Sequence, residues 1–287
     1  QPDGSEIETY TTPIIADDEH APITHLVFAL KYDGINLAVL SALFERIPTA
    51  SIQAYIVQQP AGKFARLLGF YYEWLTGQQL LMTTSLRGSY VDALDERRYF
   101  TSTAKRNRRW LVNDNLLGTP DWCPLVRKVP PLVMHLDWDV TAALSRLRQQ
   151  FDPTLFERAN NYLYLSETIS SYQIERVKPT PDRESLFLRL LRDAGKLTLP
   201  DALGERHLTA CQNIIQDPRY AETGFRIRQN YIGTGRIGPR ETVDYICPPP
   251  ALLPSLMQGL SDSALRLNEG HAILQAALVA FGFVLIH

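Results

Sequence analysis

Few residues in this chain stand where their chemistry could be used. Of the six histidines, His25, His135, His207 and His271 are scattered without metal-ligand spacing and read as surface or hydrogen-bonded structural residues. His287 differs by its setting. It follows Ala272–Ile286, a run that is apolar except for Gln275, and Asn268–His287 reads as one helix that turns apolar on every side after Ala276. A side chain held rigidly at the end of a buried helix suits a general base. Ser171 and Glu175 stand four residues apart, which on a helix brings a hydroxyl and a carboxylate to one face. Gly233-Thr-Gly-Arg-Ile-Gly238 has the spacing of a dinucleotide fingerprint, but that fingerprint needs a helix to open inside it. Pro239 and a strand-like run follow instead, so the segment reads as the tip of a hairpin. Cys123, Cys211 and Cys247 lie far apart and form no CxxC pair. They read as inert reduced thiols, which fits the cytoplasm. No metal site can be named.

Those residues need elements to hold them, and the composition provides for a core. The chain has 287 residues, is 45% hydrophobic and carries a formal net charge of -2. That charge gives no general attraction to nucleic acid or to an acidic membrane. Lys105, Arg106, Arg108 and Arg109 beside Trp110 lend weak support to nucleic-acid binding. The simpler reading is a solvated loop, or a local salt-bridge partner for Asp92, Asp95 and Glu96. The longest apolar run, Ala272–Ile286, is shorter than the roughly 20 residues of a membrane-spanning helix, so no membrane is expected and the run reads as a core helix.

Periodicity predicts a mainly α protein. Residues 1–20 are polar and acidic and read as an extended arm; the helical pattern begins near Thr24. In Ala61–Thr76, Phe64, Leu67, Leu68, Tyr71, Trp74 and Leu75 recur at three- and four-residue spacing, and Gly77 is a stop. Residues 83–132 lose the pattern and read as loop-rich, with turn signals at Asn115–Pro120 and at Cys123-Pro124. A second helical part begins near Val140. Asp152-Pro153 and Thr180-Pro181 are helix starts, the first helix running through Tyr162 toward Ser171. The second carries a stripe of Leu186, Leu190 and Leu191 and stops at Gly195, and His207–Ile215 is a further short helix. Phe225 and Ile227 alternate with Arg226 and Arg228 at strand period, and Thr242–Ile246 is β-branched and aromatic. Together they predict a β-hairpin with Asn230, Tyr231 and Ile232 pairing with Val243, Asp244 and Tyr245, stopped by Pro248-Pro249-Pro250.

Three of these features, in this order, resemble the Fic family of protein nucleotidyltransferases. Ser171-Tyr-Gln-Ile-Glu175 is similar to the inhibitory motif (S/T)xxxE(G/N) of self-inhibited members, with Arg176 where the family has Gly or Asn. Asn230–Pro250, leading to Leu253-Pro-Ser-Leu-Met257, resembles the hairpin called the flap. Phe281-Gly-Phe-Val-Leu-Ile-His287 resembles the helix that runs into HxFxxGN(G/K)R, with His287 at the motif's first position. The resemblance covers residues 140–287 and implies a helical Fic-like core with a small flap, following a helical N-terminal domain over residues 1–139. The N-terminal part, with Phe64–Gly77 and Asn115–Pro124, resembles the helical extension of one group of Fic proteins.

The resemblance implies transfer of AMP from ATP, with magnesium, to a hydroxyl of a target protein. His287 would take the hydroxyl proton. The flap, through Asn230, Tyr231, Ile232, Val243, Asp244 and Tyr245, would hold the target as an added strand. Glu175, supported by Ser171, would compete with the nucleotide's γ-phosphate for an arginine. The remainder of the motif would follow His287, so the sequence reads as a fragment, inactive as it stands. The alternatives are a Fic-like enzyme that transfers another group or removes AMP, and a non-catalytic regulatory or DNA-binding protein. Homo-oligomerisation stays open.

Overall fold

The computed structural model describes residues 22–136, 138–174, 178, 180–215, 223–237, 240–267 and 272–286. The chain is mainly helical, with a β component of two small sheets. It divides into two compact units. The first reaches to Leu116 and takes in Leu125–Arg127; the second is Leu117–Pro124 with the chain from Lys128 onward.

In the first unit α1 (Pro22–Tyr32), α2 (Leu37–Phe44) and α3 (Thr49–Gln58) pack on α4 (Lys63–Thr76). The Asn36 side chain caps α2 by accepting from the Val39 amide at 3.2 Å. Helix α4 buries every residue from Ala65 to Tyr72, and so is enclosed on all sides through its middle. Gly77 ends it in the left-handed conformation, φ 67°, as the sequence predicts. Gly69 is required by close approach: a Cβ there would overlap the six-membered ring of Trp110. The indole of Trp110 is fully buried, and its Nε1 donates to Glu73 Oε2 at 2.8 Å.

Residues 83–132 hold more than loops. The strands β1 (Val91–Asp92), β2 (Lys105–Asn107) and β3 (Val112–Asp114) form a sheet in the order β1-β3-β2. β1 runs parallel to β3 with Val91 opposite Val112, and β2 runs antiparallel with Asn107 opposite Val112. Strands of two or three residues are too short to show an alternating pattern, so the sequence reading missed them. The local ion pairs expected for the basic cluster also need correction. Arg109 reaches back to Glu73 on α4, with Nε 2.9 Å from Oε1. Asp95 instead pairs with Arg97 at 3.2 Å, and Asp92 accepts from Asn113 at 2.7 Å. The Glu73 carboxylate collects donors from Arg109, Trp110 and the Leu80 amide, which ties α4 to the turn after β2.

The second unit begins with α5 (Pro130–Leu136), α6 (Val140–Gln150) and α7 (Pro153–Ile174). It continues through α8 (Pro181–Asp193), α9 (Leu199–Ala202) and α10 (Glu205–Ile215). The predicted starts are capped: the Asp152 carboxylate accepts from the Thr154 amide at 2.8 Å, and the Thr180 hydroxyl from the Arg183 amide at 3.4 Å. The buried residue of α8 is Phe187, not the expected Leu186, which is exposed. Phe187 lies on Tyr172 of α7 with ring centroids 5.7 Å apart, and Leu190 and Leu191 of the expected stripe are half-buried. The hairpin β4 (Tyr231–Ile237) and β5 (Arg240–Ile246) follows, then α11 (Leu253–Arg266) and α12 (Ala272–Ile286).

Candidate active site at the end of the last helix

The apolar run that precedes His287 folds as α12, but it is not buried on every side as the sequence predicts. Leu274, Leu278, Gly282 and Ile286 form one buried face, while Ile273, Phe281 and Val284 are exposed. The buried face packs on α11, which buries Leu253, Leu256, Met257 and Leu260. Gly282 is the point of closest approach: a Cβ there would stand 2.5 Å from Leu260 Cδ1 and 3.0 Å from Trp122 Cζ2. Gln275, the one polar interruption, donates to the Ala264 carbonyl near the end of α11 at 2.6 Å.

The C-terminal end of a helix leaves carbonyls without intrahelical partners. Two side chains take the last ones of α12. The Tyr245 hydroxyl, on β5, donates to the Leu285 carbonyl at 2.7 Å. Arg226, before β4, donates through one terminal nitrogen to the Ile286 carbonyl at 3.1 Å and to the Pro248 carbonyl at 2.5 Å. Its other terminal nitrogen donates to the Arg228 carbonyl at 3.0 Å. The cation also faces the negative end of the helix dipole. Burial pushes the Tyr245 phenol above its usual range, with Cys247 adding to the rise and Arg226 opposing it; the hydroxyl therefore keeps the proton it donates.

Arg226 overturns one sequence expectation. The alternation of Phe225 and Ile227 with Arg226 and Arg228 predicts a strand. Residues 225–228 form no strand, Ile227 is exposed, and the Arg226 side chain is buried. Apolar alternation cannot register a guanidinium whose partners are carbonyls distant in sequence. The sequence offered no other signal for this residue.

The hairpin forms, and of the pairing predicted between Asn230–Ile232 and Val243–Tyr245 the ladder realises Ile232 with Tyr245. Gly233 pairs with Val243 and Tyr231 with Ile246, with a register shift after Ile232. Asn230 meets the other strand just beyond this ladder, its carbonyl accepting from the Cys247 amide at 3.0 Å. Gln229 Nε2 closes the root by donating to the Cys247 carbonyl at 2.5 Å. Tyr231, Ile232, Val243 and Asp244 are exposed and Tyr245 is half-buried. Among the described residues each strand has the other as its only neighbour, so the pair has edges that could take an added strand. Gly233–Ile237 lies within β4, and the next element is a strand; a phosphate-binding strand-to-helix turn does not form there.

Of the remaining predicted residues, Ser171 is half-buried in the last turn of α7. The adjacent Tyr172 hydroxyl donates to the Ile214 carbonyl at 3.3 Å, tying that turn to α10. Glu175, Arg176 and His287 lie outside the described residues. Among the described residues no group of three or more His, Cys, Asp or Glu could hold a metal ion. No helix among them is long and apolar enough to cross a membrane. No family model matches this chain, and neither does any curated protein or solved structure.

Proposed function

We propose that this chain acts as a Fic-type protein adenylyltransferase. The observation that carries the reading is the link between hairpin and helix: Tyr245 of β5 and Arg226 of the hairpin root hold the last two carbonyls of α12. An edge able to receive a strand of a target protein is thereby joined to the position that precedes His287 in sequence. In the reaction, a target segment adds to the hairpin by main-chain hydrogen bonds, which ask little of its side chains. His287 accepts the proton of the target hydroxyl. The hydroxyl oxygen forms a bond to the α-phosphorus of ATP, and the bond from that phosphorus to the bridging oxygen breaks, releasing pyrophosphate. Among the described residues no group of three or more His, Cys, Asp or Glu could hold a metal ion, and no step is assigned to magnesium. Glu175 restrains the reaction by competing with the γ-phosphate, with Ser171 in support.

The test is incubation of the complete protein with labelled ATP, magnesium and cell lysate, followed by mass spectrometry of labelled proteins. AMP on a hydroxyl side chain is the expected product, and Glu175→Gly should raise the yield and tighten ATP binding. A different adduct, release of AMP from pre-labelled protein, or no modification in either form would overturn the assignment.

A further inference from the structure

We infer that Arg226 is a positioning residue that locks the root of the β4–β5 hairpin to the end of α12, so that the two respond as one body. This rests on the reading above for its use in catalysis, but not for its mechanics.

Arg226 is 6% exposed, and an arginine withdrawn from water needs its donors and charge satisfied. None of the ion pairs found among the described residues includes it. Its partners are three main-chain carbonyls: Arg228 before the hairpin, Pro248 after it, and Ile286 at the last turn of α12. A planar fork with fixed donor directions can join three such segments; a single ammonium on a flexible stem reproduces neither the reach nor the angles. The Nε proton has no partner among the described residues, which is a cost a residue serving only as a local cap would avoid. Tyr245 makes a second, independent tie from β5 to Leu285. The two ties reach consecutive carbonyls, one from the segment before β4 and one from β5, so a displacement of either at the root pulls on the end of the helix. A target strand seated on the hairpin edge would steady the same end.

The experiment compares the full chain with its Arg226→Lys, Arg226→Met and Tyr245→Phe variants by amide hydrogen exchange. In Arg226→Lys, the amides of β5 and of the last turn of α12 should exchange together, about tenfold faster, as expected for losing a charge-assisted hydrogen bond. Amides of α4 should keep their native rates. Tyr245→Phe should loosen the same two segments by a smaller factor, and combining it with Arg226→Lys should give less than the product of the single effects. In the complete protein, Arg226→Lys should lower kcat for transfer about tenfold with an unchanged KM for ATP, because orientation and not nucleotide binding is lost. Arg226→Met covers the case in which lysine finds new carbonyl partners. If the hairpin root loosens in Arg226→Lys and Arg226→Met while Gly282–Ile286 keeps native exchange, the coupling is refuted. Coupled exchange in a protein that transfers nothing would leave the clamp standing and sink the transferase reading.

Discussion

Helices α4 and α12 are both rich in apolar residues, and they are packed in opposite ways. Helix α4 includes Arg66, Glu73 and Lys63, yet it buries eight consecutive residues, Ala65–Tyr72. Its buried polar groups are satisfied: Arg66 donates to the carbonyls of Gly62 and Ser89, and Glu73 takes the indole of Trp110 and the guanidinium of Arg109. Helix α12 carries only Gln275 as a polar side chain, yet its buried positions recur every fourth residue and Phe281 remains 71% exposed. Apolar composition therefore does not measure enclosure. Enclosure depends on how many neighbouring elements the rest of the chain supplies, and α4 has α1, α2, α3 and β3 around it.

Substitutions in the two helices and at their contacts should differ in cost. Trp110→Ala removes a fully buried indole that lies against Gly69 and holds Glu73. It should cost about 3–5 kcal/mol in urea denaturation followed by circular dichroism; a loss under about 1 kcal/mol would mean that the first unit is not built around this contact. Gly282→Ala tests the tightest point of α12. Overpacking typically costs about 1–3 kcal/mol, more than the roughly 1 kcal/mol that alanine gains over glycine in a helix. The variant should therefore melt below the native chain, and a higher melting temperature would contradict the close approach to Leu260 and Trp122. Phe281→Ser, on the exposed face, should change stability by less than about 0.5 kcal/mol. A loss above about 2 kcal/mol would show that face to be as enclosed as α4.

The elements legible in the sequence are those with local signals. Helix α4 announces itself by periodic apolar residues and Gly77, and α7 and α8 by Asp152-Pro153 and Thr180-Pro181. The hairpin is marked by β-branched residues around a Gly/Pro-rich tip. What the sequence hid is non-local. Strands β1 to β3 exist because Val112 lies between Val91 and Asn107, a pairing of distant segments that no window of sequence contains. Arg226 reads as one position of an alternating strand, and its three acceptor carbonyls are backbone groups, which no side-chain pattern encodes. Phe187, not Leu186, is the buried residue of α8, and its partner Tyr172 sits on another helix.

In the proposed function His287, which follows α12 in sequence, is the catalytic base. The most direct test is the single-turnover rate of AMP transfer by the complete protein and by its His287→Ala variant, at equal ATP and target concentrations. The account predicts a fall of roughly 10²–10⁴-fold, the usual contribution of a general base, with an unchanged circular dichroism spectrum and melting temperature. Transfer by the folded variant at a near-native rate would contradict it and move the active site away from α12.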